Sequence, residues 1–505
     1  MYHSQYKNPV LKQKAIKADR NLYQRLLVAK EAGRDVDLNE ILSHELSPVP
    51  LALADISGTM RPTNKAVLGS ILQSHGIVEK QIPMATLKTC VIIDGQAVVQ
   101  AIGKPQNAKN FGQFADRFVG HVFSHLNESC SRVDVVFDRY ESHTIKDTTR
   151  MSRTKSTKPI RRQVDNRDIP LPVKWRQFID HPENKQDLEH FLSKELIRQA
   201  KLTGTERTIV TSGGYPDRTV VESSQEMDIS SLRCNHDEAD TRMVLHAKSA
   251  SYLGFERIII ISRDTDVLAL LVHFAGDLSK EIWMQTGTSR HKKFVAVHSI
   301  DIDPILRHNL LGFHAISGCD TVSQFCGIGK ATAWKTFIKY GCLLDGLGRG
   351  VLNVEELADC ERFVCRLYSN NETYTNINEI RCKMFKKGAK EPEKLPPTQS
   401  SLHLHIKRAH YQCRIWLASC IAQPDIGSPV GNGWNKDDAS GNIVPDLMCD
   451  EPFPLDYLSL TQCQCKNCES RRCGCRVKGL RCTAGCGCAD GTCHNPLNSD
   501  QDDSD

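Results

Sequence analysis

Residues 89–95 read TCVIIDG, residues 133–140 VDVVFDRY and residues 257–266 RIIIISRDTD. Each is a short run rich in β-branched residues that stops on an aspartate, the pattern of a strand buried on both faces. RTIVTS (207–212) and EIWMQTG (281–287) are two more such runs. Between them, FADRFVGHVFSHL (114–126) and EADTRMVLHAKSASYLG (238–254) carry the helical period. Strands that alternate with helices predict an α/β fold, a mostly parallel sheet flanked by helices on both faces.

The aspartates decide what such a sheet is for. Ligands of an open parallel sheet gather at the carboxyl ends of its strands. Asp94, Asp138, Asp264 and Asp266 stand just past three strand ends. Glu238 and Asp240 open a helix, and Asp320 sits in ISGCDTV ahead of a glycine-rich turn. A single aspartate after a strand usually caps a helix or makes a turn. Seven carboxylates in one crevice repel one another unless cations neutralise them, and hard divalent ions, Mg²⁺ or Mn²⁺, suit oxygen ligands. Two such ions can serve phosphodiester hydrolysis.

In their order, VIIDG, VVFDRY, DEAD, SRDTDVLAL and GCDTVSQFCGIGKATAWKTF resemble the flap endonuclease and XPG-type branch of PIN-like nucleases, over residues 85–345. The resemblance implies that Asp94, Asp138, Glu238, Asp240, Asp264, Asp266 and Asp320 ligate metal, directly or through water. It also implies a helix-two-turn-helix in which Gly327, Ile328, Gly329 and Lys330 grip duplex backbone through main-chain amides. Glycines permit that close approach, and amides at a helix N-terminus favour phosphate. Two departures stand out: 84 residues precede the domain, and no helical arch can be aligned between the acidic blocks. The segment 139–162 instead carries eight Lys or Arg against two acids. Arg139, Lys146, Arg150 and Arg153, closest to the Asp138 strand end, are the expected phosphate contacts. The DEAD tetrapeptide lacks the P-loop a helicase needs.

Nine of the 21 cysteines lie at positions 463, 465, 468, 473, 475, 482, 486, 488 and 493. In a reducing compartment such a cluster reads as metal ligands. Cys463, Cys465, Cys468, Cys473, Cys475, Cys482, Cys486, Cys488 and Cys493 can fill the twelve positions of three tetrahedral zinc ions if three of them bridge. So short a stretch, poor in large apolar residues, should not fold without metal. The spacing and the closing Cys493-His494-Asn495 resemble a single tesmin-type CXC module, which implies zinc and a contact with DNA, chromatin or protein. The two modules together resemble a group of invertebrate proteins of the kind that mobile elements spread.

The remaining chain divides into a mainly helical segment 1–84 without evident chemistry, a helical region 346–421, a Gly/Pro/Asn/Asp-rich linker 422–455, the cysteine module 456–496 and an acidic disordered tail 497–505. No apolar run approaches membrane-spanning length, and the polar, basic N-terminus is no signal peptide. A nuclear or cytosolic protein, neither secreted nor in a membrane, is expected. The sequence thus predicts a metal-dependent, structure-selective DNA nuclease. A catalytically inactive nucleic-acid or chromatin adaptor and a PIN-type ribonuclease acting on RNA stay open beside it.

Overall fold

The computed structural model describes residues 37–139, 144–146, 160–204, 206–287, 291–387 and 391–452, and a set between 463 and 495 that includes all nine cysteines of the module. Within these residues an eight-stranded sheet organises the chain. Its strands are β1 (Ile77–Glu79), β2 (Thr89–Asp94), β3 (Cys130–Val136), β4 (Thr208–Ser212), β5 (Val221–Ser223), β6 (Arg257–Ile261), β7 (Glu281–Gly287) and β8 (Lys292–Ala296). Their order is β1-β8-β7-β6-β2-β3-β4-β5.

The five central strands β7, β6, β2, β3 and β4 pair in parallel, and all five are the apolar runs of the sequence. The antiparallel outer strands β1, β5 and β8 were not predicted. They are short or partly exposed, so they lack the continuous apolar run that marks a central strand. Both faces are covered. Ile92 and Ile260 point into one core with Leu310, Phe313 and Leu402, while Val91, Ile93 and Val133 point into another with Phe114, Phe118 and Leu192. The α/β expectation is met.

Three expected boundaries disappear on folding. Leu68 and Leu72 of the helix Ala66–Ser74 are buried in the same core as the sheet, and β1 extends the sheet itself, so residues 66–79 belong to this body. At the other end, Leu402, Ile406, Ala409, Cys413 and Trp416 of the helix Gln399–Leu417 fill that core too. The segment 422–452 is not a free linker. It forms a hairpin, Trp434–Lys436 with Ile443–Pro445, whose Trp434 is buried against Tyr411 and Ile145. Its glycines and prolines make turns on a surface, which composition alone cannot separate from a flexible tether. Residues 1–36 and 496–505, with the helix and the acidic tail expected there, lie outside the described residues.

Among the described residues, no helix is long and apolar enough to cross a membrane. The cysteines form no disulfide.

Candidate functional site

The sheet turns around at β2. From there the chain runs outward through β3 and β4 on one side, and later through β6 and β7 on the other. The connections that follow the carboxyl ends of the parallel strands β2 and β6 therefore run to opposite sides and open a crevice between them. Asp94 closes β2 and caps the helix Gly95–Ile102, accepting from the Ala97 amide at 2.9 Å. Gly95 follows because a Cβ there would overlap the ring of Phe137. Asp264 caps the helix Thr265–Phe274 and accepts from the Asp266 amide at 2.9 Å. Asp138, beyond β3, accepts from the Ala239 amide at 2.8 Å and so ties the β3 end to the helix Ala239–Tyr252. That helix brings Glu238 at its cap and Asp240 in its first turn.

Asp320 comes from the loop between the helices Pro304–Ile316 and Lys330–Tyr340. Gly318 there has φ +107°, with the Gln324 backbone 3.0 Å from where a Cβ would stand, so only glycine fits. A second loop braces this one: the Gln324 amide donates to the Arg61 carbonyl at 3.0 Å, and the Cys326 amide to that of Ala52 at 2.8 Å.

Among the described residues, two lysines enter the crevice. Lys65 Nζ lies 3.0 Å from Asp264 Oδ1, 3.0 Å from Asp266 Oδ2 and 3.1 Å from Asp320 Oδ2. It is the cap of the helix Ala66–Ser74, whose Gly69 sits so close to Thr265 that a Cβ would stand 3.2 Å from its Oγ1. The two helix N-termini are thereby pressed together. The second lysine, Lys146, reaches Glu238 Oε2 at 2.8 Å.

Sequence reasoning assigned no chemistry to residues 1–84, and Lys65 corrects that. Asp264 and Asp266 stand about 200 positions away in the chain and Asp320 further still, so no local pattern announces it.

Among the described residues, Lys65 and Lys146 stand against this set of seven carboxylates, and seven negative charges against two positive leave five when all are ionised. Burial, and then neighbouring carboxylates, push Asp94 up to about 7. Burial likewise raises Asp240, Asp264 and Glu238, with Lys146 and Lys65 offsetting part of the effect on Glu238 and Asp264. Asp266 goes the other way. Burial would raise it, but Lys65 and the hydrogen bond from His314 more than compensate and hold it below the usual carboxylate range. Both lysines are held above their ordinary value, the carboxylates outweighing burial.

Behind Asp266 lies a buried relay that the sequence did not reveal. His314 Nε2 meets Asp266 Oδ1 at 2.8 Å, and Lys330 Nζ meets His314 Nδ1 at 2.8 Å. Lys330 also donates to the His314 carbonyl and to Ser317 Oγ. Burial lowers His314 to about 4 and Lys330 to about 7. A neutral imidazole donating through Nε2 and accepting through Nδ1 fits both partners. Trp416 stacks on His314 with ring centroids 5.1 Å apart, so the helix Gln399–Leu417, the C-terminal helix of the sheet's core, supports the acidic centre.

The expected phosphate contacts fare unevenly. Lys330 is 2% exposed and Ile328 is buried. Neither side chain can meet DNA, and any grip by Gly327, Ile328, Gly329 and Lys330 falls to the main chain. The Arg139 guanidinium is buried and donates to the carbonyls of Tyr215 and Pro216 at 3.2 and 3.3 Å. It is a structural group first, a correction to its expected role. Lys146 faces the crevice, while Arg150 and Arg153 lie outside the described residues.

Two donor sets suit metals. Asp240, Asp264 and Asp266 each offer an oxygen within 4.8 Å of the others, close enough for a hard cation to bridge. The nine cysteines pack into one cluster in which three groups of four thiols overlap. Cys482 belongs to all three groups, and Cys463, Cys468 and Cys488 to two each. That sharing is what a thiolate cluster of more than one zinc requires.

Solved structures similar to this chain include the flap endonuclease of bacteriophage T5 in a complex with DNA and metal ions, at 13% identity over 66% of this chain and 99% of that one, TM-score 0.31. The catalytic core of Rad2 in complex with DNA substrate is similar at 11% identity over 70% and 98%, TM-score 0.31. No family model and no curated protein matches the chain. At such identities and scores, the functional reading rests on the chain's own side chains.

Proposed function

We propose that this chain is a divalent-metal-dependent nuclease that hydrolyses phosphodiesters in DNA, selects its substrate by structure, and uses its zinc-loaded cysteine module to hold DNA or chromatin. One observation carries the reading: seven carboxylates from separate strand ends, helix starts and a loop gather where the sheet turns around, three of them close enough to share one cation. A fold that carries this much like charge without a cation forgoes stability. Asp94, Asp138, Glu238, Asp240, Asp264, Asp266 and Asp320 would hold Mg²⁺ or Mn²⁺. Such an ion, when bound, supplies Lewis-acid polarisation of the phosphate and activation of water.

The remaining work falls to the chain. Asp266, kept ionised by Lys65 and oriented by His314, is the firmest anionic ligand. Lys65 spans three of the seven carboxylates, two of them in the donor set, so a cation arriving there shares or displaces it. Lys146 at the crevice wall can exchange Glu238 for a substrate phosphate. At the far end of the chain, Lys466, Arg472, Arg476 and Arg481 stand among the cysteines and offset thiolate charge, and a DNA backbone would meet the same side chains.

The Lys65 contacts also favour a second reading, an adaptor in which the lysine permanently replaces a cation and no turnover remains. Purified protein and an Asp264→Asn/Asp266→Asn variant, incubated with flap, hairpin and single-stranded DNA and with RNA in Mg²⁺ or Mn²⁺, separate the two. Cutting of DNA by the parent alone supports the nuclease. Equal cutting by both, or none by either, sinks it.

A further inference from the structure

Beside the acidic crevice lies a cavity of about 400 Å³, within the range of small-molecule sites, roughly 300–1,000 Å³. Lys146 and Glu238 form the wall it shares with the crevice. Its opposite wall comes from residues 411–429, well beyond the region that resembles a nuclease: Tyr411 and Ile415 on the C-terminal helix, and the loop around Ile426. The Tyr411 hydroxyl donates to the Gly427 carbonyl at 3.0 Å and pins that loop to the helix. The cavity is thus a built feature of this chain, made where its C-terminal part folds back over the sheet.

Its lining identifies the kind of ligand. Arg139, Lys146 and Arg218 face Asp237, Glu238 and Asp425, so formal charges cancel and a phosphate gains little there. Ile145, Ile415, Ile426 and Pro424 offer apolar surface. Asn235, His236 and Thr241 add neutral polar groups. Apolar walls with both donors and acceptors at the edges suit a flat, uncharged heterocycle. We infer that this cavity is a nucleobase site, taking the base of a nucleotide whose phosphate lies in the adjoining crevice. The inference rests on the proposed nuclease reading for its neighbour and on the cavity itself for its ligand. A base must leave the stack to enter, which costs least where it is unpaired, so the pocket would favour unpaired nucleotides at that position.

The test separates the pocket from the nuclease. Full-length protein is titrated with thymidine 5′-monophosphate and with deoxyribose 5-phosphate, which lacks the base, and hydrogen exchange is followed at residues 411–429. Base–protein contacts of this kind contribute at least about fivefold in affinity. The nucleotide should bind at least that much more tightly and protect 411–429, and Ile415→Trp, which fills the cavity, should erase the difference. A second arm scans one abasic residue along a cleavable DNA strand, and cleavage should fall at a single position in the parent. Equal binding of the two phosphates, in the folded parent, overturns the nucleobase site whether or not DNA is cut. Preferential binding of the nucleotide without cleavage of any substrate overturns the nuclease and leaves the pocket standing.

Discussion

The acidic crevice and the cysteine module both gather groups that repel one another, and the two are supported differently. In the crevice the carboxylates sit on strand ends and helix starts whose apolar cores are complete without them. Lys65 and Lys146 supply part of the counter-charge. In the module, the buried cluster consists of the cysteines themselves. On the proposed reading, the first site is a frame that stands before its cation arrives, whereas the second needs metal to hold its thiols together.

Stripping zinc should give the largest effect and the sharpest contrast. A strong chelator is expected to abolish hydrogen-exchange protection across 463–495, since structural zinc contributes on the order of 10 kcal/mol to such modules. The melting transition of the sheet should stay where it is. Loss of both together would show that the module is part of the main core.

Trp416→Ala tests the frame from the other side. Removing a fully buried tryptophan costs about 3–5 kcal/mol. Calorimetry should show the main transition falling, and because Trp416 backs His314, Mn²⁺ affinity should fall with it. Unchanged metal binding would separate the C-terminal helix from the site.

Lys65→Met should behave differently again. Without metal, three carboxylates lose a shared ammonium, and destabilisation of about 3 kcal/mol is expected. Mn²⁺ should restore most of that stability and bind more tightly than to the parent, because its competitor is gone. A variant that bound Mn²⁺ no better would show that Lys65 and the cation do not share the crevice.

The smallest effect is a control. Asn353 and Glu356 close a capping box on the helix Val354–Tyr368, far in sequence from either donor set. Asn353→Ala should cost about 1 kcal/mol in denaturant melts and leave both metals untouched.

What the sequence shows and hides follows the same divide. The five parallel strands are legible because burial on both faces demands continuous apolar runs such as Val91–Ile93 and Ile258–Ile261. The aspartates at their ends are legible because strand-end position is itself a local property. Lys65, His314 and Trp416 are not, since each acts through a contact with a residue remote in the chain. Lys330 misleads for a related reason. A lysine after GIG has the look of a phosphate contact, and only tertiary packing shows its ammonium turned inward onto His314. The hairpin at 434–445 escaped notice because glycine- and asparagine-rich turns and linkers share one composition.

The proposed function stands or falls on whether the crevice binds a divalent cation. Mn²⁺ titration of the zinc-loaded full chain, followed by electron paramagnetic resonance, tests it directly against Asp264→Asn/Asp266→Asn. Saturable binding is expected in the parent, and the double substitution should abolish it while the fold and the cysteine module persist. Mn²⁺ binding equal in the two proteins, or absent from the parent, would contradict it.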